Sequence, residues 1–249
     1  MNTNIYVATF SENAIEVINK YGVNMEFNHL CISENLDRRE RTLRQMKKDF
    51  AASNAQKAIV HGPFTEIIPA SIDPRAVQLG LDRLNEAYDI CKELGVKRMV
   101  VHTGYIPLLY YKQWHIEKSV KFWRTFLRDK PADFNIMIEN VFEDEPYVMR
   151  NLIEAIDDKR ATICLDVGHA NAMTDKEINV ETWAKVLAPY VTHMHIHNNF
   201  GSEDEHNPID KGNMDIKKIV EIVRQAKNPQ FSMTVESRQC ESTVKALLT

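Results

Sequence analysis

No apolar run in this chain approaches the roughly 18 residues that a helical membrane span needs. Cysteine is sparse and dispersed: Cys31, Cys91, Cys164 and Cys240 form no CxxC pair. A small secreted disulfide framework is therefore excluded, and a reduced, cytoplasmic protein is the expectation. The opening residues, MNTNIYVATF, lack the basic and long apolar regions of a signal peptide. There is no basic excess either. With a formal net charge of -4, no global field draws the protein to nucleic acid, so a local patch or bound cations would have to supply any such attraction. No GxGxxG follows the first strand, which counts against a doubly wound, dinucleotide-binding sheet. No linker or low-complexity segment interrupts the 249 residues, so a single domain over 1–249 is expected.

What is present is alternation. Short runs rich in Val, Ile and Met recur at Ile5–Phe10, Val23–Phe27, Lys57–His61, Lys97–His102, Asn135–Asn140, Ala161–Asp166, Val191–His197 and Phe231–Glu236. Each precedes a segment of helical periodicity: Ser11–Tyr21, Ser33–Ala52, Asp73–Leu94, His115–Arg128, Glu145–Ile156, Val180–Ala188, Asp215–Ala226 and Gln239–Leu248. Ser11 is the expected cap of the first helix, and Gly22 and Gly95 stop the first and third. Eight strand-helix units in this length predict an α/β protein, a single (β/α)8 TIM barrel. The 44% hydrophobic content is enough to fill it.

In such barrels the reactive groups sit at the C-terminal ends of the strands. The polar residues fall there: His61, His102, Glu139, Asp166 with His169 three residues on, His195, and Glu236. Asp204 and His206 lie in the loop after strand seven. By the period of two, Ile59, Val100, Met137, Cys164 and Thr234 share a face with these ends and fill the barrel interior. The densest stretch is VTHMHIHNNFGSEDEHNPIDKG, 191–212, where His193, His195 and His197 alternate with apolar residues. A single interior histidine has a bland explanation as a hydrogen-bonded structural group. Five histidines and four carboxylates on one rim do not, because unpaired buried anions are costly. Divalent cations resolve the conflict. Three of them against four carboxylates leave about +2, and the N/O donor set suits Zn, Mn, Fe or Co more than Ca.

These residues resemble the xylose-isomerase-like TIM barrels and, within them, the endonuclease IV (type 2 AP endonuclease) family. The likeness runs from strand three to strand eight and rests on the IEN (138–140), DVGHA (166–170) and DEH…KG (204–212) segments. It implies up to three zinc ions: His61, His102 and bridging Glu139 at the first, Glu139, Asp166, His195 and Glu236 at the second, and His169, Asp204 and His206 at the third. It also implies attack of metal-activated water on a phosphodiester, with Glu139, Asp166 and Glu236 orienting the nucleophile. Abasic DNA or a smaller phosphate ester would be the substrate.

The chain departs from that family in being shorter than its endonucleases. GPFTEIIP after His61 lacks their polar and aromatic DNA-probing residues, and an acidic loop (Glu143, Asp144, Glu145) opposes a phosphate backbone. The segment Met25-Glu26-Phe27 is similar to the sugar isomerase and epimerase branch. There a single metal is held by the equivalents of Glu139, Asp166, His195 and Glu236, and the two glutamates shuttle a proton beside a carbonyl. Both readings stay open at this point. A metal-stabilised scaffold without activity is disfavoured, since a barrel of this size needs no metal staples. Lys211 and Arg238 are candidates for a substrate phosphate. His29 and His115 are expected on the surface or in helices, His193 one layer below the metals, and His197 orienting a ligand. Tyr105, Tyr110, Tyr111 and Trp114 are expected to pack on the barrel rather than form a substrate wall. The short last helix leaves a dimer open.

Overall fold

The computed structural model describes residues 4–174, 177–226 and 231–249. Eight parallel strands close on themselves in sequence order: β1 (Ile5–Ala8), β2 (Asn24–Phe27), β3 (Ala58–His61), β4 (Arg98–His102), β5 (Asn135–Glu139), β6 (Ala161–Asp166), β7 (Val191–Ile196) and β8 (Ser232–Val235). The closing pair is β1–β8, with Tyr6 opposite Thr234. Between them run α1 (Ala14–Tyr21), α2 (Glu34–Asp37), α3 (Arg39–Ala51), α4 (Pro74–Leu94), α5 (Lys112–Leu127), α6 (Pro146–Ile156), α7 (Val167–Met173), α8 (Val180–Leu187) and α9 (Ile216–Gln225), with α10 (Glu241–Leu248) last. The predicted (β/α)8 barrel is the fold.

Two apolar layers follow from the alternation. Inside the barrel, Tyr6, Ile59, Val100, Met137 and Cys164 form one buried cluster. Outside it, the alternate residues Val60, Met99, Val101, Ile138, Leu165 and Met194 join the helices in the main core. Capping is local chemistry. Asp73 accepts from the Arg75 N–H ahead of Pro74, and α1 and α4 both end on a left-handed glycine, Gly22 and Gly95.

Three details differ from expectation. Ser11 does not cap α1: its hydroxyl donates to the Ser237 carbonyl, tying the β1 loop to the β8 loop. The helix expected over Ser33–Ala52 is broken at Arg38, which leaves the helical region at φ -103, ψ 34. And α7 has no counterpart in the sequence pattern. Its seven residues, VGHANAM, are too few to show periodicity, but Asp166 caps it by accepting from the His169 N–H.

One irregularity positions the site. Between Ile163 and Cys164 the β6–β7 register slips by one: Ile163 pairs with Val191, then Cys164 with His193. A regular ladder would set Asp166 opposite outward-facing Met194. The slip sets it opposite inward-facing His195.

His115 lies in a helix, as expected, but it is fully buried rather than on the surface. Its Nε2 has no hydrogen-bond partner, and burial pushes its pKa down to about 4. The unfolded chain binds a proton near pH 6.5 that the folded chain does not take until about pH 4, so folding stability is lost as pH falls through that window. At about 1.4 kcal/mol per unit, the loss amounts to roughly 3 kcal/mol. Denaturant melts of His115→Phe should show a flatter stability profile between pH 6.5 and 4 than the wild type. Parallel profiles would remove His115 from the acid limb.

Candidate metal centre

The strand ends and the loops that follow them deliver their side chains to one cavity at the C-terminal mouth. His61, His102, Glu139, His169, Asp204, His206 and Glu236 line it. Asp166 and His195 lie fully buried beneath. Strand register does much of this: His102 sits opposite Glu139 and Asp166 opposite His195.

Most of these histidines are locked with one nitrogen outward. His61 Nδ1 donates to the Gly62 carbonyl at 2.9 Å. His169 Nδ1 donates to the Asn140 carbonyl at 3.0 Å. His206 Nδ1 donates to the Glu236 carbonyl at 2.8 Å, and His195 Nε2 donates to Glu26 Oε1 at 3.1 Å. In the neutral ring the other nitrogen is then a lone pair turned inward. His195 shows what this means. Its buried Nδ1 has no hydrogen-bond partner, yet it lies 3.2 Å from Glu139, 3.3 Å from Glu236 and 3.7 Å from Asp166 oxygens. A lone pair facing three carboxylates is repulsive unless a cation sits among them.

The spacing fits such a cation. Donors bonded at about 2.0–2.1 Å to a tetrahedral ion stand about 3.3–3.4 Å apart. Glu139 Oε2 is 3.2 Å from His61 Nε2 and 3.3 Å from His102 Nε2. Its other oxygen faces His195 and His169, so this carboxylate spans two groups. Asp204 Oδ2 is 3.3 Å from His169 Nε2 and 3.0 Å from His206 Nε2. Among the described residues, five groups of donor atoms lie close enough to share an ion. Three follow the expected rim: His61, His102 and Glu139; Glu139, Asp166, His195 and Glu236; and His169, His197, Asp204 and His206. The other two are Glu26, His61, His195 and Glu236, and Cys164, His193 and His195.

In metal-free protein, protonation of these rings would supply the positive charge instead. Burial would lower the pKa of His206, but the bond to Asp204 and the Glu236 carboxylate raise it to about 9. Burial likewise opposes the charge on His195, yet Cys164, Glu236, Glu139 and Glu26 hold its pKa well above the usual range. Glu236 is pushed up by burial and, against the pull of His195, by Glu139 and Glu26.

Two residues stand out beyond the nine. Glu26 on β2 is fully buried and receives N–H from His195 and His193 and the Thr234 hydroxyl. Below it, Ser232 donates to His193 Nδ1 at 2.7 Å, so His193 lies one layer down. An acid between Met25 and Phe27 in a short strand was the available signal. His197 Nε2 donates to Asp166 at 3.1 Å, the orienting contact expected of it. Its ring lies where a side chain on residue 168 would be, since a Cβ on Gly168 would come within 1.9 Å of it.

Other candidates fall elsewhere. Neither Lys211 nor Arg238 lines the cavity, and both are exposed. The acidic loop is not a bare negative rim: Glu143 is buried and accepts from Thr103 and the Val141 N–H. Asp144 and Glu145 are both paired with Lys112. Tyr105 is buried against His115 and Trp114 donates to the Ala70 carbonyl, whereas Tyr111 is exposed. His29 pairs with Asp49.

Comparison with known proteins accords with the barrel. A family model described as xylose isomerase-like TIM barrel matches residues 15–247. The chain belongs to that family. The uncharacterized protein MJ1311 of Methanocaldococcus jannaschii is 27% identical over 198 residues, 76% of this chain and 67% of that one. Among solved structures, a D-tagatose 3-epimerase-like protein superposes with a TM-score of 0.79 at 22% identity, covering 99% of this chain and 96% of that one. A Thermus thermophilus protein, TTHB071, soaked with ZnCl2, gives 0.73 at 22% identity, covering 99% and 96%. At these identities the likeness establishes the fold, which this family shares.

Two outcomes are expected. Because cations displace protons from groups such as His206, ZnCl2 added to weakly buffered metal-free protein below pH 9 should release protons, and zinc affinity should rise with pH. Binding without proton release would contradict this balance. Glu26→Gln, which removes the acceptor of the His195 proton, should weaken zinc binding about 10- to 100-fold in an equilibrium titration while the far-UV spectrum is retained. An unchanged affinity would show that Glu26 serves packing alone.

Proposed function

We propose that the protein is a metal-dependent hydrolase that uses a multinuclear centre, most simply zinc, to break an ester bond. The observation that carries this is the inward orientation of His61, His169 and His206, each fixed by a backbone carbonyl, together with Asp204. A mononuclear centre needs none of them. Divalent ions held by these residues would polarise the scissile group and make water acidic enough to react near neutral pH.

The residues divide the work. Glu139 joins the first two groups through its separate oxygens. Asn140 clamps the Asp166 backbone with its amide, donating to the Asp166 carbonyl and accepting from its N–H, both at 2.9 Å. His197 holds the Asp166 carboxylate from behind. Glu236, which lines the cavity, would accept a proton from incoming water. The buried Glu26 changes the charge balance: six positive charges against Glu139, Asp166, Asp204, Glu236 and Glu26 leave about +1 rather than about +2. With no lysine or arginine on the cavity wall among the described residues, a phosphate ester or abasic DNA would rest on the ions alone.

A second reading has its own support. Glu139 and Glu236 flank the same nitrogen of His195 and both line the cavity. That arrangement suits a sugar or sugar-phosphate isomerase or epimerase with one metal and two proton-carrying glutamates, in keeping with the similarity to the epimerase-like protein.

Elemental analysis of chelator-free protein separates the two. The multinuclear reading expects about three metals per chain, falling by about one in His206→Ala. One metal per chain, unchanged in that variant, would overturn it in favour of the isomerase.

A further inference from the structure

The cavity above the candidate metal centre holds about 500 Å3, the size of a small-molecule pocket. Its floor is the cluster of histidines and carboxylates. Its walls are of another kind: Phe10, Ile32, Phe64, Val141, Phe142 and Met173. No lysine or arginine is among the described residues that line it. Apart from the candidate ligands, the polar side chains there are Asn28 and Cys31. The Asn28 carbonyl oxygen is already engaged by the Thr9 N–H at 2.9 Å.

This lining is selective. A polyol would bring several hydroxyls out of water and find few partners on the walls, and each unpaired hydroxyl counts against it. A dianion would find positive charge only at the floor, where Glu26 already reduces it. At the mouth, Phe10, Ile32 and Phe142 remain 46%, 57% and 47% exposed. Apolar side chains left half in water around a reactive floor gain by covering an apolar group. Phe64 is spoken for, stacked on His102 with centroids 4.3 Å apart. Phe142 makes no such ring contact with a histidine among the described residues, and Ile32 is more than half exposed.

Resting on the metal-dependent reading above, we propose that the substrate is a small uncharged molecule of amphiphilic kind. It presents one oxygen-bearing reactive group to the floor and an apolar or aromatic group to Ile32 and Phe142. Neither a sugar nor a phosphate ester fits that description.

Two hydroxamates test it, since both offer the same bidentate oxygen donor to a metal and differ in the group behind it. On the zinc-loaded protein, isothermal titration should show benzohydroxamate binding at least about tenfold tighter than acetohydroxamate. D-fructose and inorganic phosphate should each bind more weakly than benzohydroxamate. In Ile32→Ser/Phe142→Ser the advantage of the phenyl group should shrink to about twofold or less, with acetohydroxamate affinity and zinc content unchanged. Because both positions are half exposed, this variant is expected to fold. Equal affinities of the two hydroxamates for the wild type, or tighter binding of fructose or phosphate, would overturn the proposal while leaving the metal centre intact. A chain that takes up no zinc and binds neither hydroxamate would overturn the metal reading itself, and the proposal with it.

Discussion

His195 donates its Nε2–H to Glu26, and in the neutral ring that leaves its Nδ1 lone pair facing three carboxylates in a fully buried place. Low dielectric makes this repulsion expensive, and only positive charge relieves it. Protons on the ring or cations among the oxygens are the two ways to supply that charge. The rest of the mouth is consistent with the second. The other anchored rings turn their free nitrogens the same way, and the donor spacings match the edges of a tetrahedral ion. Polar groups that would destabilise an empty core become a coordination shell when ions are present.

This arrangement depends on the barrel for its precision. A parallel ladder sets neighbouring strand ends side by side, so His102 lies beside Glu139 without any special contact. Between β6 and β7 the regular ladder would fail, and the slip at Ile163 and Cys164 corrects it. Gly168 performs a comparable service just beyond the end of β6, giving up a side chain so that the His197 ring can reach Asp166. Both features cost local regularity, and both serve the same carboxylate. The floor of the cavity is therefore held from beneath by Glu26 and His193, from the side by Asn140, and from behind by His197.

The upper cavity follows different physics. Its walls come mainly from loops after β1, β2, β3 and β5, and they are apolar where the floor is charged. The loop acids expected to repel anionic partners are buried or paired instead. Access is thus governed by shape and wetting more than by a charged rim. The lack of cations on the described walls bears on substrate more directly than the overall charge of the chain does.

Period-two strands, helix stops at Gly22 and Gly95, and acids and histidines at strand ends were enough to predict the barrel and bring the nine residues to one rim, because those patterns depend on local backbone geometry. Glu26 was visible as an acid between Met25 and Phe27, yet its partnership with His193, His195 and Thr234 joins residues more than 160 apart. The short helix α7, the register slip and the exposure of Lys211 and Arg238 away from the cavity lining were not legible, since none leaves a periodic trace. Nor could sequence distance show that Ile32 and Phe142 face the same cavity. Local patterning by itself determined the fold class and the chemistry available at the mouth. Only closure of the barrel decided which lone pairs face which carboxylates, because that depends on strand register and on side chains meeting across the barrel.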